Sequence, residues 1–262
     1  MALFRMEVEY CGARYRGWQA QKNAEGVANA LEAACRRVFK AVRGLQAAGR
    51  TDSGVHALGQ VVGLDADGPP GGGLSPLNRL NDLLPRDIAV KSLAPAPPGF
   101  HARHSCVQRV YLYQVLRRRS AFGADLCWWV KDRLDVQALA RAAGALAGAH
   151  DFASFCEADP ARREATRIRL EPVELAEDGP LLLLRFRARS FLWKMVRRLT
   201  GALVEVGRGA LPAPALLRAL EKPTRELAAF TAPPQGLFLE KALYPGESLD
   251  GPPRPVLHLG KN

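Results

Sequence analysis

The chain has 262 residues, 48% of them hydrophobic and 24% charged, a balance typical of a folded globular protein rather than a disordered one. Its 37 lysines and arginines exceed its 26 acidic residues and give a net charge of +11. This surplus favours a polyanionic partner such as nucleic acid, although an arginine-rich composition can also reflect codon usage. The five cysteines show no CxxC spacing, which argues against a disulfide framework or zinc site and predicts a cytoplasmic protein. No apolar run approaches the ~20 residues of a membrane span.

The first half of the chain predicts alternating strands and helices. Residues 3–10 predict a strand, and residues 59–64 (GQVVGL) and 87–93 (DIAVKSL) predict two more. Ser75 and Pro76 are typical of the start of a helix, as N-cap and first helical residue. An earlier helix is predicted by apolar residues at helical spacing: Val27, Leu31, Ala34, Cys35, Val38 and Phe39. The glycine- and proline-rich segment 65–73 predicts a disorder-prone turn.

The second half predicts a similar order of elements. Residues 107–116 predict a strand, 134–148 a helix, and 166–188 a hairpin that turns at Asp178, Gly179 and Pro180. Residues 236–244 (GLFLEKALY) predict a closing strand. The helix before it is predicted by one apolar face: Leu192, Met195, Val196, Leu199, Leu203 and Val206.

Both halves therefore approximate the order β-α-β-β-α-β of the ferredoxin-like unit. We predict an α+β protein with two tandem ferredoxin-like (RRM-like) units, residues 1–100 and residues 101–262. Their antiparallel sheets are expected to join side by side. Helices would then cover one face of the sheets, and a basic active-site cleft would lie on the other.

The segment AAGRTDSGVHALGQVV, residues 47–62, places one carboxylate, Asp52, in a glycine-punctuated loop two residues after Arg50. A nearby guanidinium favours the ionised form of a carboxylate, so Arg50 is expected to keep Asp52 deprotonated. An ionised aspartate can act as a nucleophile or a base. The alternative is an ordinary surface turn, because Asp, Ser and Gly are common turn residues.

Other chemistries fit the same loop less well. The DSG triplet is also the signature of aspartic proteases, but these need two carboxylates that share a proton, and Arg50 would oppose that sharing. Ser53 and His56 lack an orienting acid, so His56 is better interpreted as a structural histidine. The scattered histidines show no metal-ligand spacing, and no nucleotide-binding motif is present, so we expect neither a metal nor a cofactor.

Arginines interleaved with aromatic residues occur in three further segments, YCGARYRGWQAQ, QRVYLYQVLRRR and RFRARSFLWKMVRR. Arginine binds phosphate and aromatic faces stack on unpaired bases, so together these segments indicate an enzyme that acts on RNA. Within them Trp18, Tyr113 and Trp193 are typical of core positions, and the candidate phosphate ligands are Arg117–Arg119, the strand residues Arg185, Arg187 and Arg189, and the helix residues Lys194, Arg197 and Arg198. The alternative is a non-catalytic RNA-binding protein with a duplicated RRM-like sheet.

AGRTDSGVHALGQVV closely resembles the catalytic loop of tRNA pseudouridine synthases of the TruA type, G-R-T-D-x-G-V-H. Five further segments resemble that family in the same order: YCGARYRGWQAQ, FHARHSCVQRVYLY, HDFASF, FLWKMVRRLTGALVEVGRG and APPQGLFL. Together the six span roughly residues 10–239, so a chance match is excluded.

The resemblance implies a role for four residues. Asp52 stands at the family's essential aspartate, Tyr111 at the aromatic residue that stacks on the target base, and Arg50 and Arg197 at basic positions beside the aspartate. It also implies a homodimer without metal or cofactor that converts uridines 38, 39 and 40 of the tRNA anticodon arm to pseudouridine. Other RNAs remain open as additional substrates.

Two positions depart from the family pattern. Cys11 replaces the usual aspartate, so any structural bond of that carboxylate is absent, and Ser53 replaces the commoner alanine beside Asp52. Segment 65–73 carries no family signal.

Overall fold

The computed structural model describes residues 2–19, 25–68, 75–157 and 166–259. Its strands and helices follow one another in a mixed order, which makes the protein α+β as predicted. The chain divides into two units. The first comprises Met1–Val107 with Phe238–Leu249, and the second comprises Gln108–Leu237 with Asp250–Asn262.

In the described ranges the strands are β1 Ala2–Tyr10, β2 Lys40–Ala47, β3 His56–Asp67, β4 Ile88–Pro95, β5 Gln108–Leu116, β6 Trp128–Trp129, β7 Gly148–Asp151, β8 Arg167–Leu170, β9 Glu174–Asp178, β10 Leu181–Ala188 and β11 Leu237–Leu243. The α-helices are α1 Val27–Val38, α2 Pro76–Leu83, α3 Val136–Gly144, α4 Met195–Arg208 and α5 Ala213–Glu221. Every described helix is too short or too polar to span a lipid bilayer.

The sheet of the first unit has the strand order β4-β1-β3, and both β2 and β11 pair with the remaining edge of β3. The pairing is antiparallel except for β11, which runs parallel to β3 with Phe238 opposite His56. Alternate residues of β1 face the core, so Met6 and Val8 are fully buried. Leu31 of α1 is buried as well, which places the apolar face of this helix in the core.

Several predicted elements of the first unit are confirmed. The first strand and α1 occur where expected, although Phe39 caps α1 rather than continuing it. The Ser75 hydroxyl accepts a hydrogen bond from the Asn78 N–H at 3.2 Å, as an N-cap does. Strand β2 was not predicted. Most of segment 65–73 lies outside the described residues.

In the second unit the strand order is β5-β10-β8-β7, with β6 beside β5 and β9 beside β10. The predicted hairpin turn is confirmed, because Leu181 pairs with Asp178 across Gly179, which has φ +53°. Helix α4 buries its predicted apolar face from Met195 to Val206, whereas Leu192 lies in the loop before the helix. Gly209 caps the helix, and its φ of +76° is typical of a helix C-terminus. The sequence grouped residues 236–244 with this half, whereas Phe238–Leu249 belong to the first unit.

Candidate active site

Asp52 lies in the loop between β2 and β3, and hydrogen bonds at the start and the tip of this loop fix its path. The Ala48 N–H donates to the Val61 carbonyl at 2.8 Å, and the buried Gln60 side chain donates to the Gly49 carbonyl at 2.7 Å. At the tip, the Val55 N–H donates to the Asp52 carbonyl at 3.1 Å and closes a turn. The backbone of Asp52 is therefore held in one position, and its side chain is half-buried.

Residues 10–18, the "clasp", bind this loop from β1 and the short helical turn that follows it. The Trp18 N–H donates to the Thr51 carbonyl at 3.1 Å, on the residue before the aspartate. The Gly54 N–H donates to the Tyr15 carbonyl at 3.2 Å, two residues after the aspartate. The clasp thus holds the backbone on both sides of Asp52, although the two segments are far apart in sequence.

A glycine in the clasp makes this close approach possible. Gly17 has φ +93°, a conformation that side chains disfavour. A Cβ atom at Gly17 would lie 2.7 Å from the Thr51 carbonyl oxygen and 3.2 Å from the Asp52 carbonyl carbon. Position 17 therefore requires glycine, because the backbone of the Asp52 loop occupies the space that a side chain would fill.

A buried tyrosine also supports the loop. The Tyr10 hydroxyl is hydrogen bonded to Thr51 Oγ1 at 2.8 Å, and Tyr10 is 4% exposed. Burial raises the pKa of Tyr10 to about 12, against smaller opposing effects of hydrogen bonds with Thr51 and Gln60. Tyr10 is therefore neutral at physiological pH and keeps its hydroxyl proton for this network.

His56 is structural, as interpreted from the sequence. It is buried, its Nδ1 accepts a hydrogen bond from the Gly12 N–H at 3.0 Å, and its ring stacks on Phe238 at 4.7 Å. Ser53 is exposed, and its hydroxyl donates to the Tyr15 carbonyl at 3.4 Å. These contacts add two more bonds between the clasp and the loop.

At the position where Cys11 departs from the family pattern, Asp87 makes several contacts. The Cys11 N–H donates to the Asp87 carbonyl at 2.9 Å. The Asp87 carboxylate accepts a hydrogen bond from the Tyr15 hydroxyl at 2.8 Å and forms an ion pair with Arg14 at 3.4 Å. A carboxylate from the loop before β4 thus fixes Tyr15 in the clasp.

The loop and the clasp carry three exposed arginines. Arg50 is exposed and forms no ion pair within the described part of the chain. Arg14 and Arg16 of the clasp are exposed as well. The effect of Arg50 on the ionisation of the Asp52 carboxylate stays a prediction.

Tyr111 and Arg197 belong to the second unit, and Asp52 and Arg50 to the first. Tyr111 lies on β5 and is 9% exposed, and its ring makes an edge contact with the Phe191 ring, with centroids 5.1 Å apart and an interplanar angle of 84°. This contact fixes the orientation of the tyrosine ring.

Arg197, in the first turn of α4, is anchored to the segment that precedes β11. Its Nε donates to the Ala232 carbonyl at 2.8 Å, and the Ala232 N–H donates to the Arg197 carbonyl at 3.0 Å. Gly201 permits this packing, because a Cβ atom there would lie 1.4 Å from the Phe230 carbonyl oxygen.

The same segment binds Tyr113. The Tyr113 hydroxyl donates to the Pro233 carbonyl at 2.6 Å, and a Cβ atom at Gly236 would lie 2.6 Å from the Tyr113 ring. Burial raises the pKa of Tyr113 well above its usual value, and the Arg197 charge opposes this only in part. Tyr113 is a core residue, as predicted, and Arg197 is held beside it.

Several basic residues that the sequence offered as phosphate ligands are structural. Arg185 is 2% exposed and pairs with Glu174 at 3.1 Å, so the prediction that it lines an RNA-binding surface is wrong. Arg117 pairs with Glu177 at 2.6 Å, and Arg118 donates to the Leu259 carbonyl at 2.9 Å. Arg119 is the exposed member of its triplet.

Sequence reasoning missed the supporting role of Tyr10, Gly17 and Gln60. Tyr10 and Gly17 lie in the segment YCGARYRGWQAQ, so a sequence signal for them was present. Their contact with the Asp52 loop was not evident before the fold was known. Among the described residues, no three His, Cys, Asp or Glu side chains are grouped as metal ligands would be.

The structure fixes an aspartate in a tight loop with exposed arginines, and it anchors a basic helix beside aromatic strand residues. These features are expected of an enzyme that acts on a base within RNA. A family profile described as "tRNA pseudouridine synthase" matches residues 142–245. The tRNA pseudouridine synthase A of Geobacter sulfurreducens is 40% identical over 250 residues, which cover 93% of this chain and 100% of that protein.

Two further relatives with the same name agree. The protein of Burkholderia mallei is 38% identical over 94% of this chain and 91% of its own length, and that of Burkholderia thailandensis is 40% identical over 92% and 89%. The chain belongs to the tRNA pseudouridine synthase A family.

Proposed function

We propose that this protein isomerises uridine to pseudouridine in the anticodon arm of tRNA, at positions 38, 39 and 40, and that Asp52 is the reacting carboxylate. The observation that carries the proposal is the clasp. Hydrogen bonds to Thr51 and Gly54 fix the backbone on either side of Asp52, while its side chain stays half-buried. Such preorganisation is what an attacking group needs, because small displacements reduce the rate strongly.

The proposed reaction breaks the N1–C1′ bond, turns the uracil ring and joins C5 to C1′. The proton leaves C5, and N1 gains one, so substrate and product have the same atoms. No oxidant, reductant or group donor enters this balance, and we therefore propose a mechanism without cofactor or metal.

Asp52 has to be ionised in each route that the chemistry allows. The carboxylate attacks the ribose or the base covalently, or it removes a ribose proton and permits a glycal intermediate. We propose that Arg50 and Arg197 provide positive charge near this carboxylate, and that Tyr111 stacks on the target uracil. The uridine has to leave its helix for this contact.

We also propose the finer architecture that the sequence predicts, two tandem ferredoxin-like halves, residues 1–100 and 101–262, with their sheets side by side. The first unit supports this, since β1-α1-β2-β3-α2-β4 has the strand order β4-β1-β3-β2. In the second unit β5, β10 and β9 follow part of the same strand order. In the first unit β11 runs parallel to β3, whereas the prediction was an antiparallel sheet. A homodimer that binds tRNA in the cytoplasm completes the proposal.

The test is to incubate the protein with tRNA that lacks the modification and carries tritium at C5 of uridine. Each pseudouridine formed should release one tritium, and carbodiimide mapping should place the product at positions 38, 39 and 40. A tRNA with cytidine at these positions is the control and should release none. Binding of tRNA without tritium release would favour the non-catalytic RNA-binding alternative.

A further inference from the structure

Trp193 was expected in the core, but 45% of its surface is exposed. It lies in the loop between β10 and α4, together with Arg189, which is also exposed and forms no ion pair within the described ranges. An exposed aromatic ring and an exposed guanidinium in one short loop are the composition of a nucleotide-binding surface, because one group suits a base and the other a phosphate.

The backbone around Trp193 is fixed, so its exposure does not come from an unsupported loop. The Trp193 carbonyl accepts a hydrogen bond from the Glu157 N–H at 3.0 Å. On its two sides, Leu192 is buried, and Lys194 takes the left-handed conformation with φ +61° as the N-cap of α4. A non-glycine residue with positive φ is uncommon and indicates that its surroundings determine this conformation.

One side of the indole is occupied by a cation. Lys194 Nζ lies over the ring, 5.3 Å from its centroid, and bonds the Glu157 carboxylate. Arg198 Nη2 reaches the same carboxylate at 3.5 Å. This cluster holds the ammonium group against the ring and leaves the rest of the exposed indole surface for a ligand.

The loop also contacts the proposed base-stacking residue. Phe191 packs edge-on against Tyr111 at 5.1 Å, and the Cα atoms of Phe191 and Trp193 are at most about 7 Å apart along the chain. A nucleotide next to one bound at Tyr111 is thus within reach of Trp193.

We propose that Trp193 is a second stacking platform, which binds an unpaired base next to the target uridine, with Arg189 at the adjoining phosphate. This proposal deepens the function proposed above and rests on tRNA being the substrate. Trp193 contributes to binding and positioning of the RNA and takes no part in the bond rearrangement.

Trp193→Ala tests the proposal, with Trp129→Ala as the matched control because Trp129 is 44% exposed in the same unit. Loss of one stacked base should raise the Kd and KM for tRNA about 5- to 150-fold and leave kcat within about twofold. Trp193→Phe should restore most of the affinity, and the salt dependence of binding should be unchanged for both variants, since no phosphate contact is lost.

Two outcomes would overturn the proposal: wild-type affinity in Trp193→Ala, or equal weakening by Trp129→Ala. Should Trp193→Ala fail to fold, Trp193→Phe decides by fluorescence. Quenching of tryptophan emission by tRNA should largely vanish in Trp193→Phe and persist in Trp129→Phe, and the reverse pattern would refute the assignment. Tritium release by the wild-type protein reports on the proposed function separately, because it does not depend on either variant.

Discussion

Replacement of Gly17 by alanine should show whether the clasp positions Asp52 for the reaction or only stabilises the fold. The new Cβ would lie 2.7 Å from the Thr51 carbonyl oxygen, a backbone atom, so the loop has to move by about 0.7 Å to restore ordinary contact. The positive φ of Gly17 adds a conformational cost of about 1–3 kcal/mol. A displacement of about 1 Å in a reacting group reduces a rate about 10²-fold, so we expect kcat to fall about 10- to 100-fold.

Gly44→Ala is the control, because a Cβ atom there meets nothing within 4 Å and the residue lies in the same unit. Tritium release from saturating tRNA gives kcat, and thermal unfolding gives the change in stability. Gly44→Ala should match the wild type within about twofold. If Gly17→Ala lowers the unfolding temperature but keeps the wild-type kcat, the clasp supports the fold and does not position Asp52.

Three further predictions concern groups outside the reacting centre. Arg185→Met should lower the free energy of unfolding by about 1–3 kcal/mol in denaturant titrations, because the Glu174 carboxylate and the Gly251 carbonyl lose their hydrogen bonds from the buried guanidinium, yet tRNA affinity should be unchanged; weaker binding would show that Arg185 contacts RNA. Tyr10 ionises near pH 10 when unfolded and near 12 when folded, so its contribution to stability is complete below pH 10 and is lost as the pH rises through 12. Between these two pH values the free energy of unfolding should depend less on pH in Tyr10→Phe than in the wild type. An equal pH dependence in both proteins would contradict the argument that burial raises the pKa of Tyr10. Tyr113→Phe removes the 2.6 Å hydrogen bond to the Pro233 carbonyl and should lower the free energy of unfolding by about 1 kcal/mol, as measured by thermal unfolding. Unchanged stability would mean that another donor replaces the tyrosine hydroxyl.

The elements with strong apolar periodicity could be predicted from the sequence, and weakly patterned ones could not. Helix α4 buries ten of its residues, including the predicted face. Strand β2 has a single buried residue, Val42, and two register shifts against β3, so it lacks the alternation that identifies a strand.

In the candidate site, too, some features could be predicted from the sequence and others could not. Asp52, Arg50, Tyr111 and Arg197 could be named because a motif carries their chemistry. The clasp could not be predicted, because its bonds join residues about 40 positions apart and depend on the path of the backbone at Gly17.

Arg185 shows the opposite error. An arginine in a strand beside Arg187 suggests a charged surface, but its guanidinium also donates to the carbonyl of Gly251, 66 residues away, at 2.8 Å. Buried arginines are rare, and their partners are evident only in the folded chain.

The reacting carboxylate is tested most directly by Asp52→Asn, which keeps the size of the side chain and removes its charge. Single-turnover tritium release from tRNA should fall by more than about 10³-fold, while the Kd for tRNA stays within about threefold of the wild type. Asp82→Asn, an exposed aspartate on α2, should leave both quantities unchanged. Pseudouridine formed by Asp52→Asn at a rate near that of the wild type would show that another group performs the reaction.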